Sequence, residues 1–312
     1  MGKPVIVFGS FVVDLMGRAP HLPVPGETVK GSIFKLGPGG KGFNQGVAAH
    51  KAGADMIMVT KLGRDTFAEV ALNTMKQLHM DSSHVFQTDQ AETGAALIMV
   101  EEHSSQNAIV VVPGACNTIT EEEVSSLSDL LSQSGYLLTQ LETNGSAVEQ
   151  LVDMAKAKGV KVILNPAPVQ PISDSLLSRI DLITPNEVEA EILTGIPVTE
   201  EAKAGEAADW FMAKGVKAVM ITLGSRGVYL ATKEKRSLIP AFRVEAIDTT
   251  GAGDAFNGGL VAALAEGKNI WEAARFASAL AALSVQRIGT TPSMPEREEI
   301  DRFLAEHKEE VQ

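Results

Sequence analysis

Short runs of consecutive apolar residues recur along this chain and constrain its fold more than any other feature. They are VIVF (5–8), MIMV (56–59), YLLTQL (136–141), KVILN (161–165), DLIT (181–184) and AVMITLG (218–224). Because the apolar residues are continuous rather than alternating, each run predicts a strand buried on both faces of a parallel sheet. Helix-like stretches separate most of the runs; residues 146–159, for example, begin at a potential Ser cap and end at Gly. The alternation predicts a three-layer, doubly wound α/β fold with a mostly parallel sheet.

Two regions break this rhythm, because neither carries a helix-length periodic stretch. Residues 10–36 are rich in proline, and residues 92–112 contain two apolar segments typical of a hairpin. We expect both to form antiparallel β segments outside the main sheet. Together they would make a small β-sheet lid over the carboxyl ends of the parallel strands, where open α/β sheets bind ligands.

The last third of the chain is predicted to be helical, at residues 254–267, 270–286 and 295–312. In the last of these, apolar residues form one stripe and the charged residues face water. The chain has 312 residues, of which 45% are hydrophobic. This number of hydrophobic residues is sufficient for a large core, and we expect a single domain over residues 1–312.

Charge and cysteine content exclude several classes of protein. The net charge of −12 argues against a nucleic acid as the main partner, because phosphate contacts need clustered Lys and Arg. Cys116 is the only cysteine, so it cannot form an intrachain disulfide; core packing is the expected role and the cytoplasm the expected compartment. The start resembles no signal peptide, and no apolar run reaches the ~18 residues of a membrane span. We therefore expect a soluble protein without a membrane partner.

Residues 248–259, DTTGAGDAFNGG, predict an anion site with a carboxylate beside it. The amides of Gly251, Ala252 and Gly253 would converge at the start of a helix, where unpaired N–H groups and the helix dipole favour negative charge. Asp254 could simply cap this helix. Next to a static anion it would be repulsive, but next to a phosphoryl group in transfer it suits the base that deprotonates the attacking hydroxyl.

The same segment contains two glycines, Gly258 and Gly259, at positions where the chain is expected to be helical. Each costs about 1 kcal/mol of helix propensity relative to Ala. We therefore expect something to approach that turn of the helix closely.

Residues 37–45, GPGGKGFNQ, resemble two nucleotide-binding motifs but match neither. The GxGxxG spacing is present, yet no buried strand precedes it and no acidic residue ends the next strand. A P-loop would need Gly at position 35 and Ser or Thr at position 42, where Lys35 and Gly42 stand. An ordinary tight turn before a helix at 43–52 remains an alternative. Four glycines with Lys41 and Asn44 favour instead a site where backbone approaches a ligand and polar side chains bind hydroxyls.

Three further segments lie at predicted strand ends and are weak signals on their own. ITLGSRG (221–227) ends a buried strand in a glycine-rich turn, and ITPNEVEAEILTG (183–195) places Asn186 before a helix with acidic residues in its first turn. Such acidic residues are normal partners of the helix dipole. NPAP (165–168) indicates a rigid turn.

Taken in order, these segments resemble the ribokinase (PfkB) family of sugar kinases along nearly the whole chain. GGKGFNQ is similar to the first signature of that family and DTTGAGDAFNGG to the second. Residues 183–195, 221–227 and 287–295 look like the ribokinase subgroup. The resemblance implies an ATP-dependent kinase acting on a sugar hydroxyl.

The resemblance also implies roles for individual residues. Asp254 would be the general base on the primary hydroxyl of the sugar, and the amides of Gly251, Ala252 and Gly253 the anion hole for the transferred γ-phosphoryl group. The sugar-binding positions, besides Asp254, would be Val12, Asp14, Gly40, Lys41, Gly42, Asn44 and Glu142. The ATP-binding positions would be Asn186, Thr222, Leu223, Gly224, Ser225, Arg226, Gly227, Gly253 and Ser278.

Cations and a partner subunit follow from the same resemblance. Glu189 completes an NxxE pattern linked to Mg²⁺ and phosphate. A monovalent-cation site for K⁺ would draw on Asp248 and on oxygens near Thr250, Ser284, Arg287, Gly289 and Ser293. The β lid would pair two subunits in a homodimer.

Two departures from the family pattern bear on the substrate. Val12 stands where ribokinases commonly carry Asn, and Phe43 stands where they usually carry Ala. An apolar side chain leaves a buried sugar hydroxyl unpaired, at a cost of about 1 to 3 kcal/mol. D-Ribose with transfer to its 5-hydroxyl remains the leading expectation, and 2-deoxyribose or another sugar the alternative. A sugar-binding regulator without catalysis and a dinucleotide oxidoreductase are the hypotheses from other classes.

Overall fold

The computed structural model describes residues 2–104 and 106–307 and has a mixed α/β fold. The strands are β1 Val5–Phe8, β2 Val12–Ala19, β3 Ile33–Gly39, β4 Met56–Gly63, β5 Val85–Thr88, β6 Thr93–Glu101, β7 Asn107–Gly114, β8 Tyr136–Thr139, β9 Lys161–Leu164, β10 Leu182–Ile183, β11 Ala218–Thr222, β12 Val228–Ala231 and β13 Arg236–Ile239. The α-helices are α1 Lys41–Lys51, α2 Thr66–Gln77, α3 Glu121–Ser126, α4 Ser128–Gln133, α5 Gly145–Ala157, α6 Asp174–Leu177, α7 Glu187–Thr194, α8 Glu201–Ala213, α9 Ala252–Ala265, α10 Ile270–Ser284 and α11 Arg297–Glu306. Single 3₁₀ turns lie at Ala115–Thr118, Gly224–Arg226 and Thr291–Ser293.

The large sheet contains all six of the predicted buried runs. Over the described residues its strand order is β13-β12-β11-β10-β9-β8-β1-β4-β5. The pairs from β11 through β5 are parallel, whereas β12 and β13 add an antiparallel edge. The prediction of a mostly parallel sheet is confirmed.

Helices cover both faces of this sheet and bury each face in its own core. Alternate residues of β1 show this, because Val5 and Val7 lie in one apolar cluster and Ile6 and Phe8 in the other. The first cluster includes residues of α1, α2, α9, α10 and α11, and the second includes residues of α3 to α8. The architecture is the predicted three-layer one.

The small sheet is separate and has the strand order β3-β2-β6-β7 in the described part of the chain. The pairs β2–β3 and β6–β7 are antiparallel, as predicted, but β2 and β6 run parallel. Both strands begin a few residues after the carboxyl end of a parallel strand, β1 and β5 respectively. Because β2 and β6 both start near the carboxyl ends of the parallel strands, they begin side by side and run in the same direction.

Several local predictions are adjusted by the structure. The N-cap of α5 is Asn144 rather than Ser146, and α1 begins at Lys41. Helix α11 is shorter than the predicted 295–312, of which residues 308–312 lie outside the described part.

Cys116 is fully buried and its thiol contacts backbone of Phe11, so the prediction of core packing is confirmed. Among the described residues, no helix has both the length and the apolar character needed to cross a membrane.

Candidate active site

A cavity of about 170 Å³ lies at the carboxyl ends of the parallel strands, where the two glycine-rich segments meet. Eight residues predicted from the sequence line it, namely Lys41, Asn186, Glu189, Thr222, Gly251, Ala252, Gly253 and Asp254. Five others also line it, namely Asn165, Ala167, Thr184, Thr249 and Asn257. The fold therefore brings together segments that are more than 200 residues apart in the chain.

Asp254 lies in the first turn of α9 and is 8% exposed. Its Oδ2 accepts a hydrogen bond of 3.1 Å from Asn44, and its Oδ1 accepts one of 3.0 Å from Gln45. Burial raises the pKa of Asp254 above its ordinary value, although the charge of Lys41 and the two amide donors act in the opposite direction. A buried carboxylate with a raised pKa is suited to accept a proton.

The loop before Asp254 leaves backbone amides open. Gly251 is the N-cap of α9 in the left-handed conformation, with φ of 78°. The amide of Ala252 donates to the carbonyl of Thr249 at 3.2 Å. Within the described residues, the amides of Gly251, Gly253 and Asp254 have no hydrogen-bond acceptor, so they are available to an anion at this helix N-terminus.

Helix packing explains the two glycines inside α9. A Cβ atom on Gly258 would lie 2.4 Å from the Cβ of Ala48 and 2.5 Å from the carbonyl oxygen of Gln45. Gly259 similarly faces α10, because a Cβ atom there would lie 3.2 Å from the Cα of Ala277. The close approach expected from the sequence is therefore made by neighbouring helices. It places the amide side chains of α1 against Asp254.

The amino terminus of α1 also depends on close backbone contact. Gly40 has φ of 90°, and a Cβ there would lie 2.9 Å from backbone atoms of Ser10, Phe11 and Val12. A Cβ on Gly42 would lie 2.5 Å from the carbonyl carbon of Gly9. These glycines allow the start of α1 to sit directly on the segment that joins β1 to β2.

Lys41 is surrounded by carboxylates. Burial would lower the pKa of Lys41, but the fields of Asp254, Glu142 and Glu189 outweigh burial and raise it. Burial, followed by the charges of Glu142 and Asp254, raises the pKa of Asp14 to about 6. Glu142 is held by the backbone amide of Lys41 at 2.9 Å. The site thus combines one ammonium group with several acidic groups, an arrangement that can bind hydroxyls and offset phosphate charge.

Asn186 and Glu189 cap α7 reciprocally. The Asn186 side chain accepts from the Glu189 amide at 2.8 Å, and the Glu189 carboxylate accepts from the Asn186 amide at 2.9 Å. A parallel β-bridge links Asn186 to Thr222. Burial raises the pKa of Glu189, which the Asn186 amide and Lys41 partly oppose. The NxxE pattern is thus a capping box whose carboxylate lines the cavity.

The other predicted ATP positions do not line this cavity. The backbone turns sharply at Gly224 and Gly227, with φ of 56° and 111°. The guanidinium of Arg226 pairs with Glu187 at 2.6 Å, and the side chain of Leu223 lies in the apolar core. Ser278 lies on α10, and its hydroxyl donates to the carbonyl of Ala274.

The predicted cation segments meet beside the glycine loop, residues 249–253, which precedes Asp254. The Asp248 carboxylate accepts hydrogen bonds of 2.9 Å from the amides of Thr250 and Gly289. Burial would raise the pKa of Asp248, but hydrogen bonding from the Thr250 side chain and from these two amides outweighs burial and lowers it. The guanidinium of Arg287 pairs with Glu299, so only backbone oxygen of Arg287 could serve a cation. The hydroxyl groups of the two serines donate to nearby carbonyl oxygens, from Ser284 to Ala281 and from Ser293 to Thr290.

Sequence reasoning missed the buried amides behind Asp254. Gln45 and Asn165 are hydrogen-bonded to each other, and Gln45 contacts Asp254 directly. Gln45 follows Asn44 in the chain, and Asn165 ends a predicted strand within NPAP, the segment assigned only to a turn. A polar residue at the carboxyl end of a buried parallel strand was the available signal.

Phe43 and Val12, the two departures from the family pattern, have different surroundings. Phe43 is fully buried and its ring contacts that of Phe11 edge to face, with centroids 5.0 Å apart. It fills the core beneath the site. Val12 is 3% exposed and belongs to neither apolar cluster. It lies on the same face of β2 as Asp14, since side chains alternate along a strand.

Comparison with protein families agrees with this geometry. The model of the pfkB family of carbohydrate kinases matches residues 3–297. The chain belongs to this family. A ribokinase of Haemophilus influenzae is 46% identical over 304 residues, covering 97% of this chain and 99% of the relative. A deoxyribokinase of Salmonella typhimurium is 34% identical over 302 residues, covering 96% of this chain and 98% of the relative.

Solved structures of family members share the fold. The ribokinase of Thermotoga maritima has a TM-score of 0.89 and 35% identity, covering 98% of this chain and 100% of that chain. The ribokinase of Arabidopsis thaliana, solved with ribose and ATP, has a TM-score of 0.90 and 31% identity, covering 97% of this chain and 99% of that chain. The resemblance noted in the sequence is therefore confirmed, and the protein is a ribokinase-type carbohydrate kinase by family and fold.

Proposed function

We propose that this protein transfers the γ-phosphoryl group of ATP to the 5-hydroxyl of D-ribose. The observation that carries the proposal is the buried carboxylate of Asp254 directly after a loop with open amides, at the edge of one polar cavity. The high identity to ribokinases over the full chain supports this substrate and cosubstrate.

The chemistry follows from the arrangement of these groups. Asp254 takes the proton of the attacking hydroxyl as the bond from oxygen to the γ-phosphorus forms and the bond to the ADP oxygen breaks. The open amides of Gly251 and Gly253 face the developing charge on the phosphoryl oxygens. Lys41 adds a positive charge at the same end of α1. We assign sugar binding to Asp14, Glu142, Asn44 and the glycines at the start of α1.

The nucleotide is assigned to the opposite side of the cavity. Asn186, Thr222 and the turn at Gly224–Arg226 would hold its phosphates and sugar, with Gly227 closing the turn. Ser278 would lie near the base. The assignment is supported by Asn186 and Thr222, which are bridged to each other and line the cavity together with the glycine loop. The acceptor sugar is assigned to the side of the small sheet.

Mg²⁺ and K⁺ are part of the proposal. Glu189 offers a carboxylate oxygen in the cavity, which suits Mg²⁺ bound mainly through substrate phosphates; the ion would neutralise phosphate charge. The described residues contain no cluster of three or more His, Cys, Asp or Glu able to hold a metal alone. Asp248 and carbonyl oxygens near Thr250, Ser284, Arg287, Gly289 and Ser293 are oxygen donors suited to K⁺. There the ion would stabilise the loop that leads to Gly251.

Organisation and location complete the proposal. We assign residues 1–312 to one domain, with the segments 10–36 and 92–112 forming a lid that also pairs two subunits. A cytoplasmic location is proposed because ATP is the cosubstrate and the single thiol is reduced and buried.

A turnover assay tests the function. The purified protein with ATP, Mg²⁺ and K⁺ is mixed with a panel of pentoses and hexoses, and ADP release is measured. Ribose-dependent turnover is expected. Sugar binding without turnover would favour a regulator, and binding of NADH or NADPH in place of ATP would favour an oxidoreductase.

2-Deoxyribose is a second candidate substrate, and Val12 is the observation that favours it. The side chain lies on the face of β2 that carries Asp14 and cannot donate or accept a hydrogen bond. The deoxyribokinase relatives are consistent with such a substrate within the family. We expect Val12→Asn to raise kcat/KM for ribose relative to 2-deoxyribose by about tenfold, the value of one hydrogen bond to a buried hydroxyl. An unchanged ratio would remove Val12 from the specificity argument.

A further inference from the structure

Gln45 holds an unusual position among the buried polar residues, because its amide contacts three other functional groups. It is fully buried. Its Nε2 donates to Oδ1 of Asp254 and to Oδ1 of Asn165, each at 3.0 Å, and its Oε1 accepts from Nε2 of Gln140 at 2.7 Å. The acceptor and both N–H groups are therefore engaged, which fixes the orientation of the amide.

The hydrogen bonds continue from Asn165 back to the glycine loop. Asn165 donates to the carbonyl of Thr184 at 3.0 Å, and the hydroxyl of Thr184 contacts Oδ1 of Asn257 at 2.6 Å. Asn257 then donates to the carbonyl of Gly253 at 2.8 Å. The path starts at the Asp254 carboxylate and returns to the neighbouring peptide, so it forms a closed polar loop through the ends of β9 and β10.

Asn44 and Gln45 support the carboxylate in different ways. The Asn44 amide is assigned to the sugar, so its bond to Oδ2 of Asp254 competes with substrate. Gln45 faces away from the acceptor side, toward Asn165 and Gln140, and its bond to Oδ1 has no such competitor. In this arrangement Gln45 holds Oδ1 of Asp254, and Oδ2 becomes available to the hydroxyl when Asn44 turns to the sugar.

We propose that Gln45 is a positioning residue for the catalytic base, orienting the Asp254 carboxylate through Oδ1 and coupling it to the glycine loop through Asn165. The inference rests on the proposed function, because it assigns a role in the same reaction. The charged groups that also face Asp254 are Lys41 on α1, Glu142 after β8, Asp14 on β2 and Glu189 on α7. None of these is altered by a change at Gln45.

Gln45→Met tests the proposal, because Met has a similar volume but no amide. We expect kcat to fall by about tenfold or more, as for other small displacements of reacting groups, while KM for the sugar stays within about threefold. Loss of the N–H donor also removes stabilisation of the ionised carboxylate, so the acid limb of the kcat profile moves to higher pH. Gln150→Met is the matched control, since it makes the same change at a half-buried glutamine of α5 whose amide bonds Glu121 and Ser125, away from Asp254 and Gln45. Near-normal kcat and an unshifted profile are expected for it.

These measurements distinguish failure of the proposed kinase function from failure of the positioning role of Gln45. Absence of turnover by the wild-type protein would refute the proposed function. An active wild type with identical kcat and pH profiles for Gln45→Met and Gln150→Met would overturn the positioning role. If Gln45→Met does not fold, as judged by circular dichroism and thermal melting, Gln45→Glu keeps the volume and the acceptor for Gln140. It is expected to shift the acid limb upward further by adding a negative charge. Failure of both variants to fold would assign Gln45 to stability alone.

Discussion

At the residue scale, the site depends on carboxylates whose surroundings differ. Asp254 is buried against amide donors, Asp14 is buried near two other acidic groups, and Asp248 is held by backbone amides. The pKa values of the first two are raised and that of the third is lowered. This separation agrees with a proton acceptor, a hydroxyl-binding group and a loop-stabilising anion at three neighbouring positions.

The first prediction concerns the base. Asp254→Asn keeps the size and shape of the side chain, but its amide cannot take a proton, so kcat should fall at least ~100-fold. The sugar should still bind, with a Kd within about tenfold of the wild-type value as measured by calorimetry. Near-normal turnover would refute the base role. Asp209→Asn, at an exposed ion pair on α8, is the control and should retain activity.

The second prediction concerns the pH dependence of sugar binding. Because the pKa of Asp14 is raised to about 6, this group becomes protonated as the pH falls through that value. The neutral form accepts hydroxyl hydrogen bonds less well. The Kd for ribose, measured without ATP, should therefore increase below pH 6 and be constant above it.

Asp14→Asn provides the control for that experiment and a stability test. This variant should bind ribose with a larger Kd that does not change with pH near 6. In the wild type the folded state binds the proton more tightly than the unfolded state, so the contribution of Asp14 to stability falls as pH rises from about 4 to 6. Asn avoids burying that charge, and the variant should melt at a higher temperature at pH 7. A lower melting temperature would contradict the assigned burial.

At the element scale, the contact of α1 with α9 sets the geometry of the site. Gly258 lets the two helices approach so closely that Asn44 and Gln45 of α1 reach the Asp254 carboxylate on α9. The glycine loop leads into α9 and the GGKGFNQ segment starts α1, so the packing of these two helices sets the position of both segments in the site. A change in the separation of these helices should affect stability and catalysis together.

The third prediction tests this helix contact. Gly258→Ala puts a methyl group 2.4 Å from the Cβ of Ala48, and should lower the free energy of unfolding by about 1 to 3 kcal/mol, as overpacked sites do. Turnover should also fall, because Gln45 is displaced. Urea denaturation and steady-state kinetics measure the two effects. Gly145→Ala, where a Cβ would meet no atom within 4 Å, should be neutral or slightly stabilising.

At the scale of the whole molecule, the small sheet carries an exposed apolar face. Strand register places Leu15, Leu36, Leu97 and Val110 on one side of it. Leu36 is 47% exposed, Leu97 49% and Val110 56%. A contiguous apolar surface of this kind is typical of a protein interface, and it agrees with the proposed pairing of two subunits through the lid.

The fourth prediction tests that pairing. The wild-type protein should sediment as a dimer, and Val110→Lys should sediment as a monomer because it places a charge within the apolar face. Val111→Lys is the matched control, since Val111 is the next residue of β7 and points to the opposite side. Dimers of both variants, or a monomeric wild type, would contradict the proposed interface.

The sequence by itself determined the layered α/β fold, the parallel strands and eight of the candidate residues that line the cavity. These follow from local signals, because continuous apolar runs, glycine-rich turns and a carboxylate at a helix start are each readable within a few residues. Only the tertiary structure decided what supports Asp254, why Gly258 is required, and that β2 and β6 run parallel. Each of those depends on contacts between segments far apart in the chain, and Gln45 reaches Asp254 across 209 positions. Such contacts are fixed by packing between distant segments, so a local pattern can mark a polar residue at a strand end or a glycine inside a helix but cannot name its partner.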